Sequence, residues 1–505
     1  MRPHPDLSGT APKPTWLPIG LGSLLRLVQI WMPVVGVHSW RQADTAAMAR
    51  HFSQAGTPIW LPQIDWGGAS AGFVESEFPL YPFLVSRLYN LMGVQEWLGR
   101  GLSVLCSALT IWLVMRLGRR WFTPQVGWWA GLAFALAPLG VYYGRTFQAE
   151  ALLVLCAAGS LEAHSIFVER RKAWALSLSW ICFTGAALIK VIPLLWLGLP
   201  LLLVQLTPSP RAKAESPEQI LRRLLRLTLN PWFWVYASTA LAVTSAWYVH
   251  AYQLGEASGL TFGFWGEDSD RSNIGLALNL SSWVNLAIRT GLRALVVTGV
   301  PLLMIGTMRS WRFGGGRIAL GGAIGMLICT VATMRSSTVH EYYQFPFLLF
   351  SSPLIGLGWQ TLQYKQRRWQ IQMLLSITLI ASLSILSIDY WAVETRQRSI
   401  WMPLAESIRR EIPANARVVS VTDSDPTLLN LARRQGWIIP SRELTLDQLK
   451  KLKDDGASYL TGSLSWHNTY TPMQEAESNR IRELIQAHNI SFIDTNEKTY
   501  LIPMK

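Results

Sequence analysis

The amino-acid sequence predicts a polytopic α-helical membrane protein that carries a small α/β domain at its carboxyl end. Half of its 505 residues are hydrophobic, only 15% are charged, and 25 are Trp. The apolar residues come in runs of about 17 to 22, the length needed to cross ~30 Å of hydrocarbon as a helix. From about Thr395 the chain becomes mixed polar and apolar, and short β-rich runs alternate with helical patterns.

Eleven apolar runs are the predicted membrane spans, so we expect about 11 transmembrane helices. Lys190 alone separates the fifth run from the sixth. The predicted spans are residues 19–37, 97–115, 125–143, 148–167, 173–189, 191–206, 232–250, 286–305, 318–334, 344–360 and 371–391.

Basic loops orient this bundle, because loops rich in Lys and Arg remain in the cytoplasm. Alternate loops are basic, most clearly 207–230, and the loops between them are acidic or mixed. We therefore expect a multi-pass protein of the plasma membrane whose first loop, residues 38–96, lies outside together with the carboxyl terminus. Much of the net charge of +14 then reflects topology, and no basic run interleaved with aromatic residues indicates nucleic-acid binding.

We expect the chain to divide into a transmembrane domain over residues 1–391 and an extracytoplasmic α/β domain over residues 395–505. Strand and helix patterns alternate in the second domain, which is typical of an α/β fold. Asp423-Ser-Asp425 matches the Asp-x-Asp pattern of a metal-binding pair. It also suits a turn followed by a helix cap, and we favour this second interpretation. The predicted strands are Arg417–Thr422, Trp437–Pro440, Ser458–Thr461, Ile490–Ile493 and Tyr500–Ile502.

The first loop holds the most informative acidic residue, Asp44. Helical spacing places Arg41, Asp44 and Met48 on one face of a short helix, because residues three and four apart are neighbours. One interpretation is a simple ion pair between Asp44 and Arg41 on a solvated face. The other is a carboxylate at the mouth of the membrane bundle, which suits an active site.

A second acidic residue, Glu150, lies where the third predicted span ends and the fourth begins. A carboxylate at that depth is unfavourable unless it faces a wet cavity or has a partner, for which Arg145 is the nearest candidate in sequence. Lys190 stands at the outer end of its span, where a cation can receive a lipid phosphate. His340, Tyr342 and Tyr343 add hydrogen-bonding groups, although an interfacial aromatic belt would explain both tyrosines equally well.

Taken together, these motifs resemble the GT-C superfamily of glycosyltransferases. The resemblance covers about residues 19–360. Within the superfamily, the chain resembles the bacterial branch related to protein O-mannosyltransferases and to the lipid A aminoarabinose transferase. This branch is similar to glycosyltransferase family 39. The motifs that carry it are Trp40-Arg-Gln-Ala-Asp-Thr45, Glu77-Phe-Pro-Leu-Tyr-Pro82, Tyr142-Tyr-Gly-Arg145 followed by Glu150, Leu188-Ile-Lys190 and His340-Glu-Tyr-Tyr343.

The resemblance implies transfer of a sugar from a polyprenyl-phosphate-linked donor to an envelope acceptor on the outer face, with inversion at the anomeric carbon. Asp44 would be the first-loop catalytic acid, Glu77 the loop carboxylate and Glu150 the second-loop acid, while Lys190 would contact the phosphate. The sequence departs from the family pattern at three places. Arg41-Gln42 stands where an Asp-Glu pair is usual, Phe78 replaces a Lys, and the second-loop acid is Glu where Asp is usual.

The residue types suit this chemistry. A carboxylate can take the proton of the attacking hydroxyl or amine, and cations and hydrogen-bond donors can stabilise the departing phosphate. The residues that we expect to bind substrate are Arg41, Arg145, Lys190, His340, Tyr342 and Tyr343. The sequence leaves metal dependence open, since Asp44, Glu77, Glu150 and His340 could gather around a divalent cation.

Two other classes of function compete with a transferase. The chain could transport or flip a lipid-linked glycan, but such proteins tend to carry ionisable residues near the bilayer midplane and often show repeats. It could also be a membrane scaffold that presents the α/β domain, which leaves Glu150 and Lys190 without a purpose. Turnover of a polyprenyl-phosphate sugar would separate the enzyme from both.

Overall fold

The structure is a computed structural model that describes residues 14–207, 210–211, 216–262, 274–486 and 499–504. Helices make up most of the described chain as far as Glu411. They are α1 (Trp16–Leu27), α2 (Ser39–Gln54), α3 (Leu80–Met92), α4 (Glu96–Trp121), α5 (Pro124–Leu136), α6 (Pro138–Tyr143), α7 (Glu150–Arg170), α8 (Ala173–Ile189), α9 (Pro193–Trp196), α10 (Gly198–Leu206), α11 (Pro217–Thr228), α12 (Pro231–Ser258), α13 (Ile274–Leu278), α14 (Leu280–Arg289), α15 (Gly299–Ser310), α16 (Gly314–Ala332), α17 (Met334–Val339), α18 (Leu348–Gln363), α19 (Arg368–Ile385) and α20 (Ala392–Glu411).

Four helices of the described chain are long and apolar enough to cross a membrane: Glu96–Trp121, Glu150–Arg170, Gly314–Ala332 and Arg368–Glu411. The last joins α19 to α20 through a π-helical turn. A pair of helices bent by 97°, in which α15 is the second, adds a fifth span if it is counted as one. The chain is therefore a helical membrane protein, as predicted. The number of eleven spans stays a prediction, because the other predicted spans contain shorter or broken helices.

The first predicted span, residues 19–37, is only partly helical, which corrects its predicted extent. Helix α1 ends at Leu27, and Gly36 adopts a φ of 113° beside the Tyr142 hydroxyl, so the chain turns before it enters α2. Arg26, at the end of α1, is fully buried and donates to the carbonyl oxygens of Gly22 and Gly140 at 2.9 and 2.8 Å. A charged side chain is thus held inside the bundle by backbone carbonyl groups.

The predicted break at Lys190 is confirmed. Helix α8 ends at Ile189, Lys190 itself is extended with φ of −150° and ψ of 138°, and α9 begins at Pro193. Proline has no amide hydrogen to donate, so the first turn of a helix is the position that it favours. The break leaves Lys190 outside both helices, with its side chain buried in the protein.

The first loop folds as helices α2 and α3 with an irregular segment between them. Residues Gln63 and Phe73 form an isolated antiparallel bridge within this segment. A small apolar cluster of Met48, Phe52, Ile64 and Val74 packs the segment against α2. The loop is consequently a structured layer with its own core.

The carboxyl-terminal residues form a four-stranded sheet in the order β2-β1-β3-β4. Strand β1 pairs in parallel with β2 and with β3, while β4 is antiparallel to β3. The elements are β1 (Val418–Val421), α21 (Thr427–Ala432), β2 (Gly436–Ile438), α22 (Leu446–Asp454), β3 (Tyr459–Ser463), α23 (Glu475–Gln486) and β4 (Thr499–Pro503). Four of the five predicted strands are thereby confirmed, and the fifth, Ile490–Ile493, lies outside the described residues.

Both faces of this sheet are covered by helices. One apolar cluster joins the sheet to α20 and α21 through Trp401, Leu404 and Leu428, and a second joins its other face to α22 and α23 through Leu452 and Ile481. We refer to α20–α23 with β1–β4 as the α/β module. The predicted turn Asp423-Ser-Asp425 precedes α21, and Asp425 Oδ1 accepts a hydrogen bond from the amide of Thr427, the first residue of that helix, at 2.9 Å.

Candidate active site

A single pocket brings together the three carboxylates that the sequence singled out. Asp44, Glu77 and Glu150 all line one small pocket between the first loop and the start of α7. Arg41 lies at the same wall, and Ile189 closes the side next to Lys190. Residues far apart in the chain therefore share one small volume.

Helix α2 places Arg41 and Asp44 on the pocket side, which agrees with their predicted spacing. The alternative interpretation, an ion pair between these two residues, is wrong for this structure. Arg41 instead pairs with Glu77, and Asp44 Oδ1 accepts a hydrogen bond from Trp66 Nε1 at 2.9 Å. The carboxylate of Asp44 is thus left available to a ligand on its pocket side.

Asp44 has the electrostatic environment of a general base. Burial raises the pKa of its carboxyl group to about 7, although the hydrogen bond from Trp66 and the charge of Arg41 oppose that rise. A base works best when its pKa lies near the operating pH, because it is then both ionised and strong enough to accept a proton. Asp44 meets this condition near neutrality.

Glu77 and Arg41 form the first ion pair of the pocket, with both side chains mostly buried. Burial by itself would lower the pKa of Arg41, but the charge of Glu77 outweighs it and raises that pKa. The Arg41 guanidinium also stands 5.3 Å from the centre of the Phe262 ring. Phe78, which replaces a family Lys, packs edge-on against Trp247 at 4.8 Å, so Arg41 provides the cation next to Glu77.

Glu150 and Lys190 form the second ion pair, with Lys190 Nζ 2.6 Å from Glu150 Oε1. Glu150 is the first residue of α7, where the helix dipole favours a negative charge. The ammonium group of Lys190 also lies 4.5 Å from the centre of the Tyr342 ring and 4.9 Å from that of Tyr343. The structure thus joins the predicted phosphate-contacting Lys to the predicted tyrosines.

His340 belongs to the same aromatic group. Its ring stacks on Tyr342 with centroids 5.4 Å apart and lies 5.2 Å from the ring of His38. Burial lowers the pKa of His340 to about 3 and that of His38 to about 4. Both imidazoles are therefore neutral near pH 7 and act as hydrogen-bonding groups.

Arg145 is not part of this group, which corrects its predicted position beside the donor. Its side chain is fully buried and pairs with Glu394 of α20, which also accepts from Arg100 Nη1 at 3.3 Å. The alternative partner for Glu150 was Arg145, but Lys190 takes that place. Arg145 instead ties the turn after α6 to α4 and α20.

Two further acidic residues of the first loop have structural partners. Asp65 accepts from Arg50 Nη2 at 2.5 Å and from His51 Nε2 at 2.9 Å. Burial opposes the ionisation of Asp65, but the charge of Arg50 and these hydrogen bonds outweigh it and lower the pKa. Glu75 accepts from the Thr261 hydroxyl. Of the five acids in the first loop, Asp44, Asp65, Glu75, Glu77 and Glu96, only Asp44 and Glu77 line the pocket.

Sequence reasoning missed a polar cluster behind His340. Glu341 pairs with Arg293 and accepts from the Tyr143 hydroxyl at 2.9 Å, and Arg293 Nε also contacts Asp389 at 2.9 Å. Arg293 lies inside the predicted span 286–305. An arginine within an apolar run is itself a functional signal, and it could have identified this cluster.

The binding of a divalent cation stays an open question of the sequence. Among the residues that the structure describes, no three His, Cys, Asp or Glu side chains come close enough to hold a metal ion. Asp44, Glu77 and Glu150 line one pocket, but two of them already pair with Arg41 and Lys190. The set does not fit a preformed metal site.

Comparison with protein families finds one match within the chain. The family model described as dolichyl-phosphate-mannose-protein mannosyltransferase matches residues 76–250. That segment contains Glu77, Glu150 and Lys190, whereas Asp44 precedes it and His340 follows it. No curated protein matches the chain at a significant level.

Solved structures share the fold over most of the chain. ArnT from Cupriavidus metallidurans bound to undecaprenyl phosphate has a TM-score of 0.64 at 14% identity, covering 97% of both chains. Oligosaccharyltransferase from Archaeoglobus fulgidus in complex with Zn and sulfate has a TM-score of 0.56 at 13% identity, covering 89% of this chain and 68% of that one. The ArnT structure in the apo state gives 0.51 at 15% identity. With the family match, these structures confirm the resemblance predicted from the motifs: the chain has the GT-C glycosyltransferase fold and resembles ArnT and the protein mannosyltransferases.

Proposed function

We propose that this protein is an inverting glycosyltransferase that moves a sugar from a polyprenyl-phosphate-linked donor to an envelope acceptor. The observation that carries the proposal is the pocket in which Asp44, Glu77 and Glu150 meet two cations. The ArnT structure that shares this fold has undecaprenyl phosphate bound, which supports a donor of that class. The proposed acceptor is a lipid, a glycan or a protein of the cell envelope.

Asp44 acts as the base in this mechanism. It accepts the proton of the acceptor hydroxyl or amine as that group attacks the anomeric carbon, a contribution of about 10²- to 10⁴-fold. Inversion requires a single displacement, so the enzyme needs no nucleophile of its own. The hydrogen bond from Trp66 keeps one carboxylate oxygen of Asp44 fixed while the pocket side accepts the proton.

Lys190 and Arg41 stabilise the departing phosphate. An ammonium group has three hydrogen-bond donors, and Glu150 uses one of those of Lys190, so the others can reach a phosphate oxygen. Glu77 and Glu150 hold the two cations charged and in place, which is the role that their ion pairs support. Tyr342, Tyr343 and His340 surround Lys190 and supply neutral hydrogen-bonding groups. No step is assigned to a metal ion.

The proposal places the reaction on the outer face of the plasma membrane. The alternating basic loops support this orientation, because positive loops are retained in the cytoplasm. A polyprenyl chain can then stay in the bilayer while its phosphate reaches the pocket. The α/β module would lie on the same outer side as the first loop, against which it packs.

The decisive experiment compares envelope glycans and lipids by mass spectrometry in three strains: wild type, a deletion, and the deletion complemented with Asp44→Asn. We expect one glycosylated species to disappear in the deletion strain and to remain absent with Asp44→Asn. If the species returns with Asp44→Asn at normal abundance, Asp44 is not the base. If no glycosylated species changes and the lipid-linked sugar accumulates on one side of the membrane, the flippase alternative replaces the transferase.

A further inference from the structure

The α/β module binds the irregular segment of the first loop through backbone hydrogen bonds. The Gly436 amide donates to the Asp65 carbonyl at 2.9 Å, and the Gly68 amide donates to the Gly436 carbonyl at 2.7 Å. Arg417 also donates to the Gly68 carbonyl. Residues 65–68 therefore dock onto Gly436, the first residue of β2, through these hydrogen bonds.

Trp66 lies inside this docked segment, between the module and the pocket. Its indole packs against the apolar cluster of the module and also against the small core of the first loop. Its Nε1 donates to Asp44 Oδ1 at 2.9 Å. The residue before it, Asp65, is tied to Arg50 and His51 on α2, so the indole has little freedom to move along the chain.

The fit at Gly68 leaves no room for a side chain. Gly68 has a φ of +62°, and a Cβ atom there would lie 2.6 Å from Trp437 Nε1 of the module. The module also contacts the start of α2, where Ser39 Oγ lies 2.8 Å from Thr469 Oγ1. Thr469 Oγ1 in turn donates to the buried carboxylate of Asp425 at 2.5 Å. The module thus holds both the helix that carries Asp44 and the segment that carries its hydrogen-bond donor.

We infer that Trp66 is a positioning residue for Asp44 and that the α/β module sets the position of Trp66. The inference rests on the proposed function in one respect, the role of Asp44 as base. It assigns the module a purpose in the reaction, since the module contacts both the docked segment, which carries Trp66, and helix α2, which carries Asp44. Trp66 itself touches no reacting atom in this scheme.

Loss of the indole N–H has a definite electrostatic consequence. The hydrogen bond stabilises the ionised form of Asp44, so its removal makes the carboxylate easier to protonate. A hydrogen bond to a charged group of typical strength corresponds to a change of about one pH unit or more in that equilibrium. The other groups that act on Asp44 from the elements around it are Arg41, Asp65, Asp425, Glu77 and Glu150, and all of them remain in a Trp66 variant.

Three variants of the full-length protein test the inference. Trp66→Phe keeps the packed ring and removes the N–H group. Gly68→Ala forces the docked segment away from Trp437 without touching Trp66. Gly56→Ala is the matched control, because Gly56 has nearly the same φ of +63° but has no atom within 4 Å of an added Cβ. Arg417→Gln is a second variant of the docking contact if Gly68→Ala does not fold.

The first readout is the pH dependence of sugar transfer. We expect the acidic limb of kcat/KM to move up by about one pH unit in Trp66→Phe and in Gly68→Ala. Transfer then falls about tenfold below pH 6 and stays near wild type above pH 9, whereas Gly56→Ala follows wild type throughout. A purely structural role of Trp66 would instead lower activity equally at every pH.

The second readout does not require activity, so it separates this inference from the proposed function. Dicyclohexylcarbodiimide reacts with protonated carboxyl groups, and mass spectrometry of the Asp44 peptide records its labelling as pH is varied. We expect labelling of Trp66→Phe and Gly68→Ala to persist to higher pH than in wild type. If wild type transfers no sugar but this shift is seen, the proposed function fails and the positioning role stands. Identical labelling in wild type and Trp66→Phe overturns the inference, and a shift in Trp66→Phe alone overturns the part assigned to the module.

Discussion

Replacement of Lys190 by Met should weaken donor binding, and the structure shows that this replacement acts in two ways. Lys190 is 5% exposed and pairs with Glu150, which is 3% exposed. Met keeps the length and apolarity of the side chain, but it leaves a buried carboxylate without its partner. Breaking a buried ion pair from one side destabilises a protein by about 3–5 kcal/mol. In the single variant, an effect of lost stability could therefore not be distinguished from an effect of the lost phosphate contact.

A double-mutant cycle separates the two effects. Lys190→Met with Glu150→Gln removes both charges, so we expect most of the lost stability to return, because neither charge is then left unpaired. The phosphate contact does not return. A charge-assisted hydrogen bond contributes about 1.5–3 kcal/mol, which corresponds to a roughly 10- to 100-fold weaker Kd for polyprenyl phosphate.

The assay pairs thermal unfolding in detergent with titration of undecaprenyl phosphate for wild type, both single variants and the double variant. Lys190→Arg is the control, since it retains the charge and should retain much of the binding. If the double variant binds undecaprenyl phosphate with the affinity of wild type, Lys190 serves only to neutralise Glu150. If Lys190→Met is as stable as wild type, the ion pair between Lys190 and Glu150 does not stabilise the fold.

Three further predictions follow from the same structure. The kcat/KM of wild type should rise with pH through about 7, because Asp44 must lose its proton to act as base, and Asp44→Asn should lower transfer by about 10²-fold or more above that pH and by less below it. Arg145→Met should destabilise the protein by less than the roughly 3–5 kcal/mol of a fully unpaired buried charge, because Glu394 keeps Arg100 as a partner, and it should leave the Kd for undecaprenyl phosphate in the folded fraction unchanged. Weaker binding would show that Arg145 belongs to the donor site. Reporter fusions within residues 207–230 should be cytoplasmic and those within 255–280 extracytoplasmic, and the reverse result would turn the pocket to the wrong face.

Local pattern was sufficient for the features that depend on neighbours in sequence. Apolar run length predicted a helical membrane protein, the spacing of Arg41 and Asp44 predicted a helix that presents both to one side, and Lys190 marked the break between α8 and α9. Alternating β-rich and helical patterns predicted the strands of the module. Each of these features follows from periodicity or from the need to satisfy the backbone within lipid.

Pairing between distant residues was beyond the reach of the sequence. Three acids and three cations lie in the first loop or at the ends of predicted spans, and charge alone cannot say that Lys190 rather than Arg145 joins Glu150. The same holds for Arg41, whose nearest acid in sequence is Asp44 but whose partner is Glu77. Proximity along the chain is a poor guide here, because helix packing sets which side chains meet.

The sequence by itself therefore determined the class of fold, the family resemblance and the carboxylates of the pocket, because helix length, residue spacing and short motifs are local properties. The tertiary structure alone decided which cation neutralises which acid, how deeply Asp44 is buried, and that Trp66 donates to it from a segment held by the α/β module. The physical reason is that desolvation and Coulomb interactions act through space. Their strength depends on the distances and the burial that packing creates.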